Sequence, residues 1–199
     1  VMKQDAPPMT GRQLLEMKSL ISGLPHDFSL YEEAIDVFKR QPPEQENTSG
    51  VRVLLTGVPL PHGAERVMDI IEDSGGLVVC QENCTGLKPL LEDVAPNTAD
   101  PLRAIAETYF HLPCSVMTPN TRRMELLKQL NGEYRPQCVI ELIWQACLTY
   151  DVESAKVKAM VEQELGIPYL RIETDYSPSD SARIAVRVQA LFETVAARG

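Results

Sequence analysis

Short β-rich runs alternate with helical stretches from Val51 onward, and this alternation constrains the fold more tightly than any other feature of the chain. "VRVLLTG" (51–57) is closed by Gly57, and "LVVC" (77–80), "CVIELIW" (138–144) and "PYLRIET" (168–174) are further runs of the same kind. Helical patterns fill the intervals: His62 to Asp73, stopped by Gly75-Gly76; Gly86 to Leu91; and Pro101 to His111. They continue with Pro119 to Leu130, where Thr118 stands at the N-cap and Pro119 in the first turn, and Val152 to Leu165, closed by Gly166. The last is Pro178 to Ala197, behind Ser177 as a cap. Strands joined through helices run parallel, with right-handed crossovers. Runs that are apolar on both sides call for a sheet covered on both faces. Residues 51–199 are therefore expected to form a doubly wound α/β domain, flavodoxin-like or Rossmann-like, with a four-stranded, mostly parallel sheet. The local pattern leaves strand order open.

Residues 1–50 read differently. Thr10 is placed to cap a helix running to about Ser22, and a second helix fits Leu30 to Lys39. "QPPEQENTSG" (41–50) then breaks the pattern with prolines, charge and small polar residues, as a linker does. The expectation is a helical connecting segment and linker. The chain starts at Val1, not at Met, opens on no recognisable secretion signal, and reads as a fragment or as one half of a larger subunit.

A net charge of −9 argues against a nucleic-acid groove, which needs clustered Lys and Arg. No apolar run approaches the roughly 20 residues that span a bilayer. The longest, Cys138 to Leu148, carries Glu141 and Gln145. The expected setting is cytoplasmic, with neither nucleic acid nor membrane as partner.

Ligands of open α/β sheets bind beyond the carboxyl ends of the strands. Those ends are residues 56–59, 81–86, 145–150 and 175–178. Cys84 lies in the second and Cys147 in the third. Cys114, in "HLPCSVMTPN" ahead of the helix at Pro119, is expected at the same edge. Three cysteines about 30 residues apart in sequence thus converge on one rim. Without a secretion signal, the five cysteines do not read as a disulfide framework. Cys80 and Cys138 fall inside strands and are expected to be buried, small and apolar. Thiolates at the rim suit zinc or an iron–sulfur cluster. The ferredoxin C-x2-C-x2-C spacing is absent, C-x3-C from Cys80 to Cys84 is not a zinc knuckle, and His26, His62 and His111 are not placed to add a fourth ligand. Three ligands with one open position is the pattern of a reactive site.

Other motifs are weaker. "TGVPLPHG" (56–63) is not a dinucleotide-binding fingerprint, and neither a P-loop nor a G-x-S-x-G elbow is present. A Cys114–His111 nucleophile is disfavoured because His111 ends a helix. Glu82 and Asn83, beside Cys84, read as solvated turn residues, the alternative being hydrogen bonds to a cluster or substrate. Arg122 and Arg123 read as a solvated helix face, the alternative being an anion contact.

"VVCQENCTG" (78–86), "LPCSVMTPN" (112–120) and "LIWQACLTYDVES" (142–154), in that order after "VLLTG", resemble one family. They are similar to the C-terminal half of the 2-hydroxyacyl-CoA dehydratase D-component and benzoyl-CoA reductase superfamily, with the closest likeness to its double-cubane cluster proteins. The likeness covers roughly Val51 to Val195. It implies a subunit about twice this length, built of two α/β halves, with an iron–sulfur cluster between them and a dimer as the assembly. It implies a separate ATP-hydrolysing activator, itself carrying a cluster, that delivers low-potential electrons. In the dehydratases the electron goes to a 2-hydroxyacyl-CoA thioester and water leaves through a ketyl radical. In the double-cubane branch a small molecule is reduced at an [8Fe-9S] cluster. The resemblance carries cluster-ligand roles onto Cys84, Cys114 and Cys147. Three cysteines in one half favour the double-cubane branch over a single [4Fe-4S]. The N-terminal half and its ligands lie outside this sequence. A non-catalytic flavodoxin-like binding domain with buried cysteines is the reading of a different class.

Overall fold

Four parallel strands stand in the order β2-β1-β3-β4 in the computed structural model, which describes residues 1–18, 24–40 and 50–198. They are β1 (Val51–Gly57), β2 (Gly76–Glu82), β3 (Cys138–Trp144) and β4 (Tyr169–Thr174). This is the flavodoxin-like order, and its topological switch point lies between the central pair β1 and β3. Around the sheet run α1 (Gly11–Lys18), α2 (Pro25–Arg40), α3 (Arg66–Asp73), α4 (Pro101–Phe110), α5 (Thr121–Tyr134), α6 (Leu148–Met160) and α7 (Ser181–Ala196). Successive strand residues point to opposite faces, so the apolar runs build two cores. Val53, Leu55, Ile140 and Leu142 meet Val67, Met68 and Ile71 of α3 and Ile184, Val188 and Leu191 of α7. Leu54, Val79 and Val139 meet Leu126, Leu127 and Leu130 of α5 and Val157 and Met160 of α6. Both faces are covered, as the runs require.

Several boundaries differ from expectation for identifiable reasons. β2 continues past Cys80 to Glu82 because Gln81 and Glu82 pair in register with Leu55 and Thr56 of β1. The helix expected from Pro119 begins at Thr121, with Asn120, not Thr118, at the N-cap. α6 begins at Leu148, ahead of Val152; both residues are exposed, so burial did not mark that first turn in the pattern. It runs on as a π turn, Val161–Leu165, closed by Gly166 at φ 69° as expected. Gly86 to Leu91 holds a single 3-10 turn, Lys88–Leu90, and α2 starts at Pro25. Ser177 caps the 3-10 turn Pro178–Asp180 that leads into α7, its hydroxyl accepting from Ser179 N.

Thr10 caps α1 as expected, its hydroxyl accepting from Gln13 N at 3.2 Å while the Gln13 side chain accepts from Thr10 N at 2.9 Å. The expected continuation of that helix to Ser22, and the linker at 41–49, lie outside the described residues. Residues 1–18 are pinned to the sheet. The Glu72 carboxylate accepts from Gly11 N (2.7 Å) and Arg12 N (3.2 Å), Gln81 donates to Gly11 O (3.0 Å), and Met2 and Met9 join the core under α5. Among the described residues no helix is long and apolar enough to cross a membrane.

Candidate functional site

The carboxyl rim of the sheet carries the three loop cysteines. Cys84 follows β2 in a tight turn in which Gly86 N donates to Asn83 O at 3.1 Å and Leu87 N to Gln81 O at 2.9 Å. A Cβ on Gly86 would lie 2.0 Å from the Gln81 carbonyl oxygen, so this close approach of backbones requires glycine. The Gly86 N–H is engaged within the turn. Cys84 is exposed, yet its turn desolvates the thiol enough to push its pKa up; Lys88 opposes the rise, while Cys114 and Glu82 add to it. Cys114 and Cys147 are half-buried, and Cys147 is the N-cap residue of α6. Ser115 donates to the Thr149 hydroxyl at 3.2 Å, and that hydroxyl lies 3.7 Å from the Cys147 sulfur. The loops of Cys114 and Cys147 thus touch at this edge, and Cys84 lies near enough to Cys114 to feel its charge. Trp144, ending β3, donates from Nε1 to Pro59 O at 3.1 Å and packs on Tyr176, which closes the switch point beside them. Cys80 and Cys138 are buried; burial pushes the Cys138 thiol up to about 12 and that of Cys80 well above its ordinary value.

Directly beneath the rim lies a buried ionic cluster. Thr56, Glu82 and Glu141 are level with one another across β1, β2 and β3. Above them sits Arg123 of α5, fully buried. Its Nη2 donates to Thr56 Oγ1 (2.8 Å) and Glu141 Oε1 (3.0 Å), its Nε to Glu82 Oε2 (3.3 Å), and its Nη1 to Glu153 Oε2. The Thr56 hydroxyl donates to Glu82 in turn. Lys88 Nζ lies 2.9 Å from Glu82 Oε1 and 3.3 Å from the Tyr150 hydroxyl, and the Tyr150 ring sits 4.9 Å from the guanidinium carbon. Tyr169 donates to Glu141 Oε2 at 2.6 Å. Burial alone would lower the pKa of both cations; the carboxylates outweigh it and hold Lys88 and Arg123 above their usual ranges. For Glu141 desolvation outweighs Arg123 and Tyr169, and its pKa rises.

Glu82, Asn83 and Arg123 are thus not solvated turn and helix-face residues: all three are completely buried, because each side chain points to the inside of the α5–sheet layer or into the turn. Arg122 is the exposed neighbour, paired with Glu92. The sequence reading missed Lys88, Glu141 and Glu153 as members of a site. A signal was available. A lone Glu inside "CVIELIW" cannot be buried without a cationic partner.

The family described as 2-hydroxyglutaryl-CoA dehydratase, D-component, matches residues 1–195. The chain belongs to this D-component family. The match runs through the N-terminal helical segment as well as the α/β domain. Two relatives are similar to it over most of its length. The provisionally named dehydratase subunit YjiM of Escherichia coli strain K12 is 45% identical over 142 residues, 71% of this chain and 37% of that protein. The (R)-phenyllactyl-CoA dehydratase beta subunit of Clostridium sporogenes is 25% identical over 170 residues, 76% of this chain and 45% of that protein. The D-component chain spans under half the length of the curated relatives it matches.

The D-component domain carries thiols on three rim loops, with the buried Asn83 Nδ2 next to Cys84 lacking an acceptor among the described residues. A thiolate or sulfide accepts such an N–H. Among the described residues no group of three or more Cys, His, Asp or Glu side chains is drawn close enough to hold a metal ion unaided. The rim is an open set of donors, not a closed cage.

Proposed function

We propose that the chain is the iron–sulfur-binding domain of a redox enzyme component, with Cys84, Cys114 and Cys147 as its ligands. The observation that supports this most is the arrival of three thiols, on three separate loops, at the carboxyl rim beside the β1/β3 switch point. A bound iron–sulfur cluster supplies one-electron chemistry at low potential. The chain's own residues do the rest. The three thiols lose their protons as they take up metal. Asn83 offers its amide N–H beside Cys84, and the cationic Lys88 favours the deprotonated form of the same thiol.

The other half of the same subunit closes the open set of donors. Its length is supported by the relatives, and its docking by α2 and α4, which have no buried residues and expose Phe28, Val37, Leu102 and Phe110. An ATP-hydrolysing iron–sulfur activator is the electron source, and a dimer in the cytoplasm is the working form. With three thiols in this half, the preferred reaction is reduction of a small molecule at a double-cubane [8Fe-9S] cluster. The names of the two relatives, both dehydratase subunits, favour a second reading, dehydration of an (R)-2-hydroxyacyl-CoA, for which the cluster proposed is a [4Fe-4S]. Turnover of such a thioester with the activator present separates the two.

The test is iron and acid-labile sulfide content of the full-length subunit, purified without oxygen. Changing Cys84, Cys114 or Cys147 singly to Ser is expected to lower both, whereas Cys80→Ser leaves them at the wild-type level. Unchanged iron in all three rim variants would sink the assignment.

A further inference from the structure

The buried cluster does more than hold the layer together. Glu82 ends β2 two residues before Cys84. Glu153 lies on α6, the helix that Cys147 caps. Its Oε2 receives Arg123, and its Oε1 receives Asn120 Nδ2 at 2.7 Å. The same Asn120 nitrogen donates to the carbonyl oxygen of Cys114 at 2.9 Å. A single guanidinium is therefore at the root of all three cysteine loops. It reaches the first through Glu82, the third through Glu153, and the second through Glu153 and Asn120.

The chemistry suits this task. Arg presents five donors in a rigid plane, so groups bound to it are fixed in direction as well as in distance. Buried away from water, such contacts exchange slowly with alternatives, and the two discrete bonds of Asn120 leave its amide no free donor. Thr56 and Glu141, the partners of Nη2, anchor the guanidinium to the two central strands, and Tyr150 covers it.

We infer that Arg123 is the positioning residue of the rim, setting the relative placement of Cys84, Cys114 and Cys147, and that Asn120 is its relay to Cys114. The inference rests on the reading of the rim as a thiolate site, but its test does not. In the iron-free full-length subunit the alkylation rate of each thiol by iodoacetamide is followed by mass spectrometry. Asn120 is only half-buried, so Asn120→Ala is expected to fold with a thermal midpoint close to the wild type. In that variant the Cys114 rate shifts several-fold while those of Cys84 and Cys147 stay unchanged. Arg123→Lys keeps the charge and loses the fork, and it shifts all three rates while the circular dichroism spectrum is retained. Asn120→Gln, which keeps the amide donors, returns Cys114 towards its original rate. A Cys114 rate unaffected by Asn120→Ala, or one that moves in step with the other two, overturns the inference. Because no iron enters this measurement, its failure is distinct from a failure of the cluster assignment, which is read from iron content alone.

Discussion

Replacing Arg123 with Met destabilises the domain by about 3–5 kcal/mol, the cost of breaking a buried ion pair from one side. Met fills much of the aliphatic volume, so little of the loss comes from a cavity. The loss is electrostatic. Glu82, Glu141 and Glu153 would face one another with Lys88 as the nearest remaining cation. Desolvation already lifts the Glu141 pKa with Arg123 in place, so its carboxylate is the first to take a proton once Arg123 is gone. Urea unfolding at neutral pH measures the effect. The same change at the exposed Arg122, whose partner is the exposed Glu92, is expected to cost under about 1 kcal/mol. Equal effects at the two positions would mean that the buried cluster is not the root of the layer.

Gly57→Ala is the second large effect, expected at about 2–4 kcal/mol and a fall in thermal midpoint of roughly 5–15 °C. Gly57 ends β1 at the switch point with φ 105°, a backbone conformation that residues with a Cβ rarely adopt. An added Cβ would lie 2.1 Å from the carbonyl oxygen of Leu142 on β3. That oxygen accepts Val58 N at 2.9 Å, so the clash cannot be relieved without parting the two central strands at the rim. The thermal midpoint of the variant checks this. A value indistinguishable from the wild type would contradict the described approach of β1 and β3.

How much of this was legible in the sequence differs from element to element. "VRVLLTG" and "CVIELIW" are bounded by signals the chain itself carries, and β1 and β3 occupy those residues. "LVVC" was cut short because Gln81 and Glu82 are polar. They stay in the strand because they have partners far along the chain: the Gly11 carbonyl for Gln81 and Arg123 for Glu82. Local pattern does not report a partner 41 residues away. Arg123 was misread with Arg122 as a solvated face, although it shares a helical stripe with Leu126, Leu127 and Leu130, all buried. A cation on an apolar stripe and a carboxylate in a central strand call for one another. Strand order was beyond reach, because it depends on which edges pair and not on any one run. The convergence of the loops of Cys84, Cys114 and Cys147 was legible from the rule for carboxyl ends. Their binding through Arg123 was not, because Asn120 falls inside the helix expected from Pro119 and no local pattern marks its bonds to Cys114 and Glu153.

The measurement that bears most directly on the account is alkylation of the full-length subunit before and after loading with iron and sulfide under anaerobic conditions. Cys84, Cys114 and Cys147 are predicted to label in the iron-free protein and to be protected together once iron is bound. Cys80 and Cys138, buried with strongly raised thiol pKa values, stay unlabelled in both states and serve as the internal reference. Rim thiols that label at the same rate with and without bound iron would contradict the account.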